Sequence, residues 1–286
     1  MKNFILASRP KTLVLSVLPP FISYQYAHAA FGSSSWGLAL LAMTSALMIQ
    51  LATNYFNDLI DFQKGADSIR IGPVRVTSTG LVKASTIKKW AFTALGIAFL
   101  TGIPLIIKGG PVILILGLVS MYLAYGYTGG KLSLAYRGLG ELFVFLFFGL
   151  FSVLGSIYIY AGKLDLNSVF IASAFGFLSM TFICINNLRD REEDLKSSKL
   201  TLATRMSYES YQLFLILTIL LPHLLLFFAC RGPAWSNLSL LLAFFLIKTV
   251  CRSKGQELNK SLKLAALHII IFSALVCLDI HYENIF

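Results

Sequence analysis

Asn54, Asp58 and Asp61 stand at i, i+4 and i+7, so on a helix they share one face. Asn57 and Asp61 are a further i, i+4 pair, and Gly65 predicts a helix stop that leaves Asp67 on the loop beyond. This run, Asn54 to Asp67, closes a long apolar segment that begins near Trp36. A second run lies 132 residues on: Asn186, Asp190 and Asp194 at i, i+4 and i+8, with Asn187 three residues before Asp190. One amide and carboxylate helix end alone reads as a solvated cap. Two, each closing a hydrophobic segment, predict an internal repeat with facing halves.

Carboxylates at a bilayer edge call for cations. A hard divalent ion such as Mg2+ takes oxygen ligands and keeps room for phosphate, and a diphosphate facing these acids needs a metal to bridge the two. The expected metal ligands are Asn57, Asp58, Asp61 and Asp67 on one side and Asp190 and Asp194 on the other, with Asp58, Asp61, Asp190 and Asp194 as the catalytic carboxylates. Asn54, Asn186 and Asn187 are candidates for metal or phosphate oxygen. Among the loop cations, Arg70, Arg75 and Lys199 stand nearest the acids in sequence and suit a departing phosphate. Lys64, Lys131 and Arg137, with Tyr127, complete the candidate substrate-binding set.

Long apolar segments must position these residues. The chain has 286 residues, 57% hydrophobic and 13% charged, with mean hydropathy +0.75. These values define a polytopic membrane protein with no soluble core. Nine spans are expected, near 12–30, 36–60, 87–107, 111–129, 139–161, 167–189, 210–230, 234–251 and 262–280. The eighth is the weakest, being short and holding Lys248. The start reads as too short in apolar residues for a cleavable signal. The whole chain, 1–286, reads as one transmembrane domain of two pseudo-repeats.

With the N-terminus inside, all of the 24 Lys and Arg except Lys108, Lys163 and Arg231 fall on the inner side. This predicts N-in and C-out in the cell's inner (cytoplasmic) membrane, with both acid clusters facing the cytoplasm. The net charge of +11 then reflects topology and attraction to anionic headgroups, not nucleic acid. Trp36, Trp90 and Trp235 sit at span starts, as interfacial anchors do. Cys184, Cys230, Cys251 and Cys277 read as buried thiols without disulfides. The four His show no partner spacing and read as structural or interfacial. Of the 23 Phe and 12 Tyr, most face lipid, and a minority could line a slot for an isoprenoid chain and stabilise an allylic cation; Tyr122, Tyr125 and Tyr127 are the candidates.

These motifs resemble the UbiA-type intramembrane prenyltransferase superfamily, and within it the branch that takes 1,4-dihydroxy-2-naphthoate as acceptor in menaquinone biosynthesis. The likeness covers about residues 8–280. It rests on N-D-L-I-D-F-Q-K-G-A-D (57–67) with R-I-G-P-V-R (70–75), and on N-N-L-R-D-R-E-E-D (186–194) with K-L-T-L-A (199–203). R-P-K-T-L (9–13) and Y-R-G-L-G-E (136–141) add to it. Ser198 and Lys131 stand where that branch commonly has Gly and Pro. The resemblance implies an all-α fold of nine transmembrane helices around a central cavity. It also implies Mg2+-dependent transfer of a polyprenyl group from polyprenyl diphosphate to the naphthoate with decarboxylation, giving a demethylmenaquinone. A family member with another acceptor, such as 4-hydroxybenzoate, is the near alternative; a secondary transporter is the distant one.

Overall fold

The computed structural model describes residues 2–65, 75–197, 199–230 and 234–282. Asp67 and Arg70, both expected at the site, lie outside the described residues. The described chain is helical, with no strand. In order the helices are α1 (Lys2–Ser8), α2 (Pro10–Phe31), α3 (Trp36–Gln63), α4 (Ala84–Gly126), α5 (Gly140–Ala161), α6 (Leu166–Lys196), α7 (Leu202–Arg205), α8 (Tyr208–Ala229), α9 (Leu240–Arg252) and α10 (Asn259–His281).

Seven of the described helical segments are long and apolar enough to cross a bilayer. Helix α4 covers two of the expected spans. Its 43 residues would reach about 65 Å if straight, twice a bilayer core. It breaks at Gly110, whose φ of 69° and ψ of −158° are open to glycine and precede Pro111. Helix α2, expected to cross at 12–30, is 22 residues long but is not among the seven; Pro19, Pro20, Tyr24, Gln25, Tyr26 and His28 dilute its apolar character.

Helix α6 stands at the centre. In it, 72% of the apolar window is buried, against 17–44% in the other six. It starts with a reciprocal cap between Asp165 and Ser168, and Tyr26 of α2 donates to the same Asp165 at 2.6 Å. Packing between lipid-embedded helices rests on close backbone approach, not on water exclusion. Gly149 shows this. It lies in a π-helical stretch of α5, Phe145–Phe151, and a Cβ there would sit 2.4 Å from Gly176 Cα of α6.

Two sequence expectations are corrected and one gains detail. His223 of α8 and His268 of α10, expected to be structural or interfacial, form a pair that their spacing did not show, with Nε2 atoms 3.2 Å apart in the buried interior. Cys251 is exposed, not buried. Tyr122 and Tyr125 are 59% and 43% exposed and do not line the cavity described below. Both fall on the outward face of α4, where Tyr125 meets Phe56 edge-on at 5.5 Å.

Candidate active site

The last two turns of α3 carry the first cluster. Asp58 and Asp61 are buried there. Asn54 is tied inward: its Nδ2 donates to Ser8 O at 2.8 Å and to Thr12 Oγ1 at 3.1 Å, while Gln50 Nε2 donates to its Oδ1 at 3.3 Å. Asn57 Oδ1 accepts from the Thr128 hydroxyl, on the loop after α4. Lys64 caps α3 and donates to Thr128 O at 2.8 Å, fixing the same loop. Gly129 allows this approach, since a Cβ there would stand 2.7 Å from Ile60 Cδ1 and 2.9 Å from the Tyr125 ring.

Asp61 accepts from two groups. Arg75 donates through Nη2 in a buried ion pair. The hydroxyl of Tyr136 donates to Oδ1 at 3.0 Å. Tyr136 ends the 3₁₀ turn Leu134–Tyr136, entered through Ser133 in the left-handed region at φ 38°. Lys64 Nζ stands 3.8 Å from the centre of its ring and Lys199 Nζ 5.7 Å, both within cation–π range.

Lys199 leads to the second cluster, where its Nζ donates to Asp194 Oδ1 at 3.2 Å. Asp194 Oδ2 is buried and accepts no hydrogen bond from a described residue. Asp190 is gripped on both oxygens by its chain neighbour: Arg189 Nε donates to Oδ1 at 2.6 Å and Nη2 to Oδ2 at 2.7 Å. Arg189 Nη1 donates to Asn259 Oδ1 at 2.9 Å, which anchors this pair to α10. Asn187 Nδ2 donates to Glu141 Oε1 at 2.8 Å.

The two acid-bearing helix ends therefore meet at one end of the bundle, joined by Asp61, Tyr136, Lys199 and Asp194 in sequence. The charges perturb one another. Burial first, then the charge and hydrogen bond of Asp61, push the Tyr136 hydroxyl well above its ordinary value, with Asp194 adding to the rise. Tyr127 is raised by burial and then by Glu141. Burial lowers Lys64, Asp61 opposes that fall, and Lys199 adds to it. Lys131 and Arg137 are exposed; Arg137 Nη2 donates to Lys131 O at 2.8 Å, and no described hydrogen bond or ion pair links either side chain to an acid.

A cavity of about 330 Å³ extends to Asn57 and Asn186 beside the two acid clusters. Arg9, Asn54, Asn57, Tyr127 and Asn186 are among the polar residues that line it. It runs past Phe143, Phe147 and Phe182 toward Leu105, Ile113 and Ile159. A slot with a few polar groups at one end and aromatic or aliphatic walls beyond suits an amphiphile with a charged head.

Among the described residues no three His, Cys, Asp or Glu side chains converge as a metal group. The available donors are carboxylates from two helices with amides beside them, all oxygen, and Asp194 Oδ2 is a buried acceptor in need of a partner. That donor set fits a hard divalent cation. The nearby cations Arg75, Arg189 and Lys199 each hold one of the acids.

Sequence reasoning missed four residues here: Arg9, Tyr136, Glu141 and Arg189. Each falls within a motif quoted for the resemblance, which was their only signal. Arg9 precedes Pro10 in the left-handed region at φ 51°, a conformation rare for a side chain of its kind.

An all-helical membrane protein with paired acidic helix ends over an aromatic-walled cavity is the class that fold and site define. The chain belongs to the UbiA prenyltransferase family, whose pattern matches residues 16–274. It is 35% identical over 204 residues to the 1,4-dihydroxy-2-naphthoate octaprenyltransferase of Mycobacterium tuberculosis, covering 71% of this chain and 70% of that one. It is 31% identical over 250 residues to the protein of the same name in Haemophilus influenzae, covering 84% and 81%. Among solved structures, the fold matches the apo structure of a UbiA homolog from Aeropyrum pernix K1 with TM-score 0.72 at 14% identity, covering 95% of this chain and 98% of that one. It also matches a UbiA homolog from Archaeoglobus fulgidus bound to GPP and Mg2+, with TM-score 0.61 at 15% identity, covering 96% and 99%.

Proposed function

We propose that this protein transfers a polyprenyl group from a polyprenyl diphosphate to 1,4-dihydroxy-2-naphthoate, with loss of the acceptor's carboxylate as carbon dioxide. The observation that carries this reading is the Asp61–Tyr136–Lys199–Asp194 connection between the two acid-bearing helix ends, whose neighbouring amides Asn57 and Asn186 line an aromatic-walled cavity. The names of the curated relatives supply the acceptor. Asp58, Asp61, Asp190 and Asp194, with Asn57 and Asn187, would hold Mg2+, with Asp67 as a further ligand and Arg70 assigned to the diphosphate. When bound there, Mg2+ supplies positive charge against the leaving diphosphate.

The chain's own residues do the rest. Arg75 and Lys199, now on carboxylates, would turn to a diphosphate head, whose oxygens suit their donors. Phe143, Phe147 and Phe182 wall the prenyl tail from water and face an allylic cation with electron-rich rings. The C–O bond of the diphosphate ester breaks and its electron pair leaves with the diphosphate. The ring carbon bearing the carboxylate then bonds to the prenyl carbon. The bond to the carboxylate breaks, carbon dioxide departs, and its electron pair restores the aromatic ring. The product is a demethylmenaquinol, the reduced form of a demethylmenaquinone.

We read the membrane arrangement as nine crossings: the two halves of α4 counted apart, α2 added, N-terminus inside. The two acid-bearing hairpins, α3 with α4 and α6 with α8, are read as the pseudo-repeats. The site then faces the cytoplasm across the inner membrane.

The test is an acceptor panel on the purified protein in lipid, with the acceptor carboxylates labelled. The naphthoate is expected to be prenylated with release of labelled carbon dioxide, dependent on Mg2+. Prenylation of 4-hydroxybenzoate in its place, with the label retained, would overturn the acceptor assignment.

A further inference from the structure

Glu141 is the buried acid that the reaction described above does not use. It stands in the first turn of α5 and is 2% exposed. Its Oε1 accepts from Asn187 Nδ2 at 2.8 Å and from the Tyr211 hydroxyl of α8 at 2.6 Å. Its Oε2 accepts no hydrogen bond from a described residue. A carboxylate buried with two neutral donors on one oxygen and none on the other is a costly way to join three helices. Two neutral or apolar side chains would join them at lower cost, so packing alone does not account for Glu141.

What Glu141 does fix is the sense of an amide. Asn187, Asp190 and Asp194 stand at i, i+3 and i+7 on α6 and share one face. An amide can present oxygen or NH2 to its neighbours, and the two ends differ only by rotation of the group. An NH2 beside Asp190 would donate to the carboxylate and repel a cation; a carbonyl oxygen would ligate one. Glu141 is acceptor-only when ionised, so it captures the NH2 end and leaves Oδ1 as the free acceptor of Asn187.

We propose that Glu141 is a positioning residue that orients Asn187 so that its amide oxygen faces the acid cluster as a ligand for Mg2+ or for a Mg2+-diphosphate complex. This rests on the reading of the site given above. Hydrogen-bond partners behind a metal ligand commonly set metal affinity by about 10–100-fold.

The experiment measures equilibrium retention of an unreactive prenyl diphosphate analogue by the purified protein in lipid, as a function of Mg2+ concentration. Glu141→Leu is expected to raise the Mg2+ needed for half-maximal retention by about tenfold or more. Glu141→Gln can present either oxygen or NH2 to Asn187, so its midpoint is expected to fall between those of wild type and Glu141→Leu. Asn187→Asp offers oxygen in either rotation, so the double variant Glu141→Leu/Asn187→Asp is expected to regain the Mg2+ response that Glu141→Leu loses. A folded Glu141→Leu with a wild-type Mg2+ midpoint overturns the proposal, as does a double variant no better than Glu141→Leu. If Glu141→Leu does not fold and Asn187→Asp fails to restore it, Glu141 is a folding residue and the proposal is wrong. Asn187→Leu separates the two levels: if it too leaves the Mg2+ midpoint unchanged, the ligand role of Asn187 falls, whereas a shift there with Glu141→Leu silent removes only the positioning.

Discussion

The Tyr136 hydroxyl donates to Asp61 Oδ1 at 3.0 Å, across 75 residues of sequence. Two lysine ammoniums stand within cation–π range of its ring, and one of them reaches Asp194. One aromatic side chain thus touches the first acid cluster directly and the second through Lys199.

Tyr136→Phe tests the hydroxyl apart from the ring. It removes one hydrogen bond to a carboxylate, worth about 1.5–3 kcal/mol, and keeps both cation–π contacts. The expected result is a loss of roughly tenfold or more in kcat/KM. Tyr136→Leu removes the ring as well and should lose more, through weaker binding of the diphosphate. Steady-state kinetics on both variants check this; equal losses would mean the ring contributes nothing.

Asp61→Asn and Asp190→Asn are expected to abolish turnover while the protein still inserts and purifies normally. Each removes a charge that faces the leaving diphosphate only through a cation, and electrostatic losses of this kind exceed about a hundredfold. Full activity in either variant would remove that carboxylate from the mechanism.

Lys64 gives a pH prediction. Its pKa is lowered from 10.5, mainly by burial. A base lowered on folding holds its proton less tightly than in the unfolded chain. Its charged form therefore costs stability at neutral pH, and the cost fades as pH rises through the lowered value toward 10.5. The exposed stem screens most of this, so the stability effect is small. In activity the sign is opposite: the ammonium over Tyr136 is lost earlier than from a free lysine. Lys64→Arg, charged throughout, is expected to move the alkaline limb of the pH profile upward. Tyr136, raised well above its ordinary value, stays a donor across that range and should add no limb.

Gly149→Val should fail for a different reason. Its side chain would enter the Gly176 backbone, and rigid neighbours cannot yield as a flexible side chain can. Overpacking of this kind costs about 1–3 kcal/mol or more. Thermal melting in detergent is expected to show a lower midpoint, with activity lost in step.

How much of this was legible in the sequence depends on distance along the chain. Asp58, Asp61, Asp190 and Asp194 announced themselves because carboxylates at i, i+3 and i, i+4 after apolar runs have few structural reasons. Tyr136 could not be seen as the link, since nothing local joins residue 136 to residue 61. Arg189 was read as one more inner-side charge, although it grips the adjacent Asp190. His223 and His268 met across 45 residues, beyond any spacing rule. Tyr122 and Tyr125 failed because α4 is apolar on nearly every side. Period carries no facing there, so the inward residue, Tyr127, could not be told from its outward neighbours.

The most direct test of the central claim is Mg2+-dependent binding of an unreactive prenyl diphosphate analogue to wild type, Asp61→Asn, Asp194→Asn and the double variant. If both clusters hold one diphosphate, each single variant loses binding and the double loses little more, because the two sites act as a unit. Losses that simply add, or a single variant that binds as wild type does, would contradict a shared site.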